Sequence, residues 1–186
     1  MKAVANLFLR AKHWQLFLLL FVVPLVVEIT AMGYMPRTIR SWRDLGTSGF
    51  FFMGLVAISM FCFLGWLWAM GSFLNPLEEP SVRLRLTYFR AALLYQPVYG
   101  FVFFAVFLNP GPPVQVVLPL HLFAIFCLLY CFYFVARSLV TVNKGKQVSF
   151  SDYAKTLFLL YFYPIGVWII QPRINQLYIE SGNTNR

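Results

Sequence analysis

YFYPIGVWIIQPRIN (Tyr161–Asn175) decides how this chain is folded. It is apolar enough to enter a bilayer, yet Pro164 and Gly166 sit inside it and Pro172 and Arg173 follow. Upstream, Ser149 and Asp152 stand at capping-box spacing, with Asp in place of the usual Glu or Gln. A cap at Ser149 predicts a helix over 150–171, roughly 33 Å at 1.5 Å per residue and long enough to cross. The apolar part alone, from Ala154 to Gln171, is marginal for a crossing. The rival reading makes this last segment re-entrant or interfacial.

The remaining sequence has the same character. The chain has 186 residues, 60% hydrophobic, 19% aromatic and only 11% charged, with a mean hydropathy of +0.71. Soluble domains carry about 25% charged residues. No polar stretch is long enough for a separate soluble domain, so residues 1–186 read as one membrane domain. Four further apolar runs predict helices at about 14–34, 49–74, 82–108 and 114–139. The fold class that follows is an all-α polytopic membrane bundle of five hydrophobic segments, the last crossing or re-entrant. NPGPP, Asn109 to Pro113, is the sharpest turn signal. The basic, apolar N-terminus imitates a signal peptide, but its run is too long and Ala31 makes a poor cleavage site. A retained first helix is expected.

The net charge of +9 does not point to nucleic acid. The 15 Lys and Arg sit mostly in short segments between apolar runs, where they orient a membrane protein and meet anionic headgroups. With five crossings, ten fall on the side of the N-terminus and five opposite, which predicts a cytoplasmic N-terminus and an outer C-terminus. A re-entrant last segment improves the division to twelve against three. Arg83, Arg85 and Arg90 are the candidate headgroup contacts. Trp14, Tyr34, Trp42 and Trp168 fit interfacial anchors.

Ionisable side chains inside apolar helices are functional candidates by default. Glu28 and His121 stand out, each about 10 Å below the outer helix ends. Equal depth permits a hydrogen bond between them if their helices are neighbours. His titrates near neutrality, so the pair suits a proton-coupled process; it suits a purely structural bond as well. Gln96 lies nearer the inner side. Pro24, Pro97 and Pro164 are expected to kink their helices and to free a carbonyl that needs another partner. ALLYQPVYGFVFF (Ala92–Phe104) and FLLYFYPIGVWII (Phe158–Ile170) align at an offset of about 66, an echo that fits a tandem two-helix repeat or chance between aromatic-rich helices. Ser59, Cys62, Gly65, Ala69 and Ser72 share one helix face, and Ala124, Cys127, Cys131 and Ser138 another; both read as packing faces.

Catalytic groups are hard to assemble. There is no Gly-x-Ser-x-Gly, no phosphate-cradling Gly-rich loop, and Asp44 and Asp152 lie in separate connections. Two histidines and six acids leave few ligands for a metal, and the three cysteines form no CxxC. No cofactor, metal or nucleic-acid partner is expected. The expected partners are membrane lipids, other membrane subunits, or a second copy. The leading function is a non-enzymatic accessory or interaction subunit of an inner-membrane assembly. A small oligomeric transporter or channel using Glu28 and His121 is the alternative, ahead of a lipid-modifying enzyme.

PLHLFAIFCLLYCFYFVARSL (Pro119–Leu139), VSFSDYAKTLFLLYFYPIGVWIIQPRIN (Val148–Asn175) and FLGWLWAMG (Phe63–Gly71) resemble a group of small membrane proteins of Bacteroidota and related phyla. The resemblance covers about half the chain. It implies a multi-pass protein of a bacterial inner membrane and carries no substrate or partner with it.

Overall fold

The computed structural model describes residues 2–34, 46–107 and 114–182. The turn at 109–113 and the anchor Trp42 lie outside them. The elements are α1 (Lys2–Arg10), α2 (His13–Phe17), a π-helical turn (Leu18–Val22), α3 (Val23–Tyr34), α4 (Gly46–Leu74), a 3-10 turn (Asn75–Leu77), α5 (Leu86–Phe107), α6 (Val114–Lys144), α7 (Phe150–Tyr161) and α8 (Tyr163–Glu180). No strand occurs among the described residues.

Among the described residues, three helical stretches are long and apolar enough to cross a membrane: His13–Thr30, Gly54–Leu77 and Gln115–Lys144. Five were expected. α5 is not among them; its described part carries Arg90, Tyr95, Gln96 and Tyr99. The last segment is not among them because it is broken. Its helix starts at Phe150, as the Ser149 cap predicts, with the Ser149 amide donating to Asp152 Oδ2 at 2.9 Å. It ends at Tyr161. Phe162 leaves the helix at φ −93°, ψ 57°.

Pro164 then falls in the first turn of α8, where a missing N–H costs nothing. The expectation of a mid-helix kink at Pro164 is therefore corrected: the proline starts a new helix. A straight helix would set residues 159 and 166 about 10.5 Å apart along its axis. Instead a Cβ on Gly166 would lie 1.8 Å from the Leu159 carbonyl oxygen, so the chain has doubled back and only glycine fits. Pro172 does not stop the helix either; α8 continues to Glu180.

Contacts fix the directions. Phe89 stacks on Phe134 at 4.4 Å and Tyr95 meets Phe123 at 4.9 Å, so α5 and α6 are antiparallel. Gly71 abuts Phe89 and Gly100 faces Met60, so α4 and α5 are antiparallel too. α4 and α6 therefore run the same way. α8 pairs Tyr163 with Phe63, Gln171 with Trp66 and Tyr178 with Phe73, in rising order along α4. It thus returns to the end where α4 and α6 finish and α7 starts. A last helix that crosses straight through is overturned by this return.

The core gathers at that end. Trp66, Met70, Leu74, Phe89, Phe134, Leu139, Leu160, Ile170 and Ile174 are fully buried there. The small-residue faces make it possible: Ala69, Ala124, Cys127, Cys131 and Ser138 are buried, and a Cβ on Gly71 would sit 2.5 Å from the Phe89 ring. Toward the other end the same helices open outward. Val56, Ile58, Val98, Phe101, Val116, Leu118 and Leu122 are exposed.

α1 was not foreseen as a separate helix. It packs on α4 with Phe8 against Gly65, and the chain bends at Ala11–Lys12 before α2 begins. The α5 start also moves, from the expected 82 to Leu86. Asn75 Nδ2 donates to the Leu84 carbonyl at 2.9 Å and holds residues 75–84 as a closed loop instead.

Candidate functional site

α5 presents Tyr95, Gln96, Tyr99 and Phe103 toward α6. The four-residue steps from 95 to 99 to 103 keep the three rings on one helix face. α6 answers with Leu120, His121, Phe123 and Ala124. The Tyr99 hydroxyl lies 2.7 Å from His121 Nδ1. Gln96 Nε2 donates to the Ala124 carbonyl at 2.9 Å, and the Tyr95 hydroxyl to the Leu120 carbonyl at 3.4 Å. These bonds form a polar seam along two otherwise apolar helices, in the open half of the bundle.

The seam redistributes the expected roles. His121 is brought to Tyr99 and not to Glu28. α3 packs on α4, whereas α6 packs on α4, α5 and α7. No hydrogen bond or ion pair joins the two residues. Both are exposed. Gln96 joins the seam through the α6 backbone. Tyr99 is the member that sequence reading missed; its spacing from Tyr95 and Phe103 was the available signal.

Pro97 and Pro24 both lie within unbroken helical backbone. Pro97 lies inside α5, next to the seam donor Gln96. Pro24 follows the π-helical turn, which widens the helix just before the ring. A proline at 24 supplies no amide to the Leu20 carbonyl. The Tyr163 hydroxyl at the hairpin tip donates to that carbonyl at 3.2 Å. Tyr163 therefore does what a neighbouring helix must do for a freed carbonyl in an apolar setting.

The packed half holds a second polar group, centred on a fully buried Gln171. The Trp66 indole donates to Gln171 Oε1 at 2.9 Å. Gln171 Nε2 donates to the carbonyls of Phe8 and Ala11 at 2.9 and 3.0 Å. One turn on, Asn175 Nδ2 donates to the Leu9 carbonyl at 2.7 Å. The last carbonyls of a helix have no partner within it. Here α8 supplies side-chain amides to the end of α1. The geometry is structural: every hydrogen-bonding atom of the Gln171 amide is in use.

The arginines divide. Arg83 is exposed and donates to the carbonyls of Pro76 and Glu78 at 3.1 and 2.7 Å, which clamps the 75–84 loop. Arg85 lies over Tyr88 and Arg90 over Trp68, both exposed. Arg137 reaches the same loop through the Val82 carbonyl at 3.1 Å. Glu78 is buried within this region with neither carboxylate oxygen bonded to protein, and the hydroxyls of Ser72, Ser138 and Thr141 are likewise without a protein partner.

The two halves of the sequence echo do not share a structure. Pro97 is inside a helix and Pro164 begins one; Gly100 has open contact with Met60, while Gly166 is pressed onto the Leu159 backbone.

Chemically, the seam brings two phenols, a carboxamide and an imidazole together, and it offers no activated nucleophile. No three His, Cys, Asp or Glu side chains come together for a metal among the described residues. No known family model, characterised protein or solved structure matches the chain. The site is therefore interpreted from its own geometry.

Proposed function

We propose that the chain is a non-catalytic multi-pass protein of a bacterial inner membrane, acting as an accessory or interaction subunit of a larger membrane assembly. In this reading it crosses four times, through α2–α3, α4, α5 and α6, while α7–α8 enters and leaves on one side. Parallel α4 and α6 support this, because α5 has to return the chain through the same thickness. Charge supports it too. From Arg10 onward, every described Lys and Arg lies in the packed half, which the positive-inside rule assigns to the cytoplasm.

One observation carries the subunit reading. Glu28 and His121 are exposed on helix flanks that are otherwise apolar. An unpaired charge facing hydrocarbon costs up to about 3 kcal/mol on insertion scales. A protein neighbour over these flanks removes that cost, and a lipid tail does not. Purification in a gentle detergent with crosslinking is expected to recover a stoichiometric neighbour; a clean monomer would sink the reading. A topology reporter fused after Glu180 is expected to read cytoplasmic, and an outer signal would overturn the four-crossing arrangement.

A small transporter is the second reading, favoured by the same two side chains. It expects Glu28→Gln and His121→Ala to abolish a pH-dependent flux, and unchanged flux removes both residues from any transport mechanism.

A further inference from the structure

We propose that the neighbour is a second copy of this chain, with Glu28 of one copy hydrogen-bonded to His121 of the next. The inference rests on the assembly reading above and names its contact.

The two residues cannot serve each other within one chain, since His121 turns Nδ1 to Tyr99 on α5 and Glu28 rides on α3. When Tyr99 donates to Nδ1, the imidazole proton sits on Nε2, on the side of the ring away from that bond. In that arrangement Nε2–H is a donor in need of an acceptor. Glu28 is an acceptor in need of a donor. From Arg10 onward, they are the only Asp, Glu, Lys, Arg or His among the described residues of the open half.

Depth matches as well. Tyr163 ties the Leu20 carbonyl to the level of Phe63, and Phe63 meets Phe132 edge-on at 6.1 Å. From that common level Glu28 lies eight residues and His121 eleven residues toward the open end, about 12 Å and about 16 Å. Copies related by rotation about a membrane normal keep their depth. Residues that meet across such copies must therefore stand at nearly the same level, and these two do.

The surroundings fit the same occupant. The α7–α8 hairpin turns at Phe162, with Tyr163 within electrostatic range of Glu28, and Leu25, Val26 and Ile29 are exposed beside Glu28. Leu118, Leu122 and Ile125 are exposed beside His121. Each patch is an apolar flank with one ionisable group, acidic on α3 and basic on α6. Two unlike patches make a head-to-tail contact, which closes into a ring when the rotation permits.

The test uses the full chain with Cys62, Cys127 and Cys131 replaced by alanine. Glu28→Cys and His121→Cys are placed in separately tagged copies, co-expressed and oxidised in native membranes. A disulfide-linked species carrying both tags is expected, at least tenfold above a control pairing Glu28→Cys with Phe101→Cys. Equal yields in the two pairings overturn the proposal. Native mass spectrometry of the unaltered chain gives an independent readout that needs no variant to fold: an oligomer is expected, and a monomer overturns the proposal. If no crosslink forms while a different protein co-purifies in fixed ratio, the self-pairing fails and the assembly reading stands. A crosslink without any other protein keeps the pairing and narrows the assembly to copies of this chain.

Discussion

At one end of this bundle α4, α5 and α6 are held together by glycine contacts, buried amides and a doubled-back hairpin. At the other end a seam of four polar side chains joins α5 to α6, Gly100 of α5 faces Met60 of α4, and the outer flanks are bare. Helix propensity and hydropathy do not differ enough to explain this contrast. Bonds to backbone from distant parts of the chain do. Gln171, Asn175 and Tyr163 each reach a carbonyl more than 140 positions away in sequence, and all three act in or at the edge of the packed half. The lesson concerns what each end asks of its surroundings. The packed half is completed by its own chain, and the open half leaves ionisable groups for another surface to meet.

That contrast can be broken by mutation. Gly166→Ala drives a Cβ into the Leu159 backbone, which has no side-chain freedom to yield, and a loss of about 3 kcal/mol or more is expected in detergent unfolding. Gly100→Ala in the open half meets only the flexible end of Met60 at 3.5 Å, and it is expected to be neutral or to gain up to about 1 kcal/mol. Similar effects at the two glycines would end the distinction. Gln171→Leu orphans the Trp66 indole and the carbonyls of Phe8 and Ala11, at an expected total of about 2–4 kcal/mol, with α1 becoming accessible to protease. Protection of α1 in that variant would show that packing alone holds it. In the seam, Tyr99→Phe removes one bond to His121 and should cost about 0.6 kcal/mol, the average for side-chain bonds between membrane helices. A loss comparable to that of Gln171→Leu would mean that the seam, too, holds the fold.

The smallest effect is expected at the cap of α7. A hydrogen bond from Lys144, then those from the Ser149 amide and hydroxyl, hold the Asp152 carboxyl down at about 2. A carboxylate with a depressed folded-state value contributes stability above its unfolded value, near 4, and loses it as pH falls through the folded value. First-turn amides of α7 should therefore lose protection, measured against their intrinsic exchange rates, as pH drops from about 4 to about 2, and Asp152→Asn should abolish that dependence. Protection that does not change with pH in the unaltered chain would remove the cap from the account.

How much of this was legible follows from distance along the chain. The Ser149 cap was readable because its parts are three residues apart. The long apolar helices were readable from hydropathy. Pro164 was visible, but whether it kinks a helix or begins one depends on Gly166 meeting Leu159. The end of α1 was not readable, because its carbonyls are served from α8. Arg83 carries the charge of a headgroup contact and also bonds two carbonyls of its own loop. Glu78 sits in a stretch that looks like a polar connection, yet it is buried. Depth permitted Glu28 as the partner of His121 only if their helices were neighbours, and His121 meets Tyr99 of α5 instead.

Pro24 and the end of α1 have a temporal consequence. Both lie in the part of the chain made first, and both leave carbonyls that the part made last satisfies. A nascent chain that has inserted as far as α6 still carries unmet acceptors at Phe8, Leu9, Ala11 and Leu20. Synthesis of the final hairpin closes all four, through Gln171, Asn175 and Tyr163. The first and last segments thus act as the two parts of a clasp, and a chain cut short before Tyr163 is marked by acceptors it cannot satisfy.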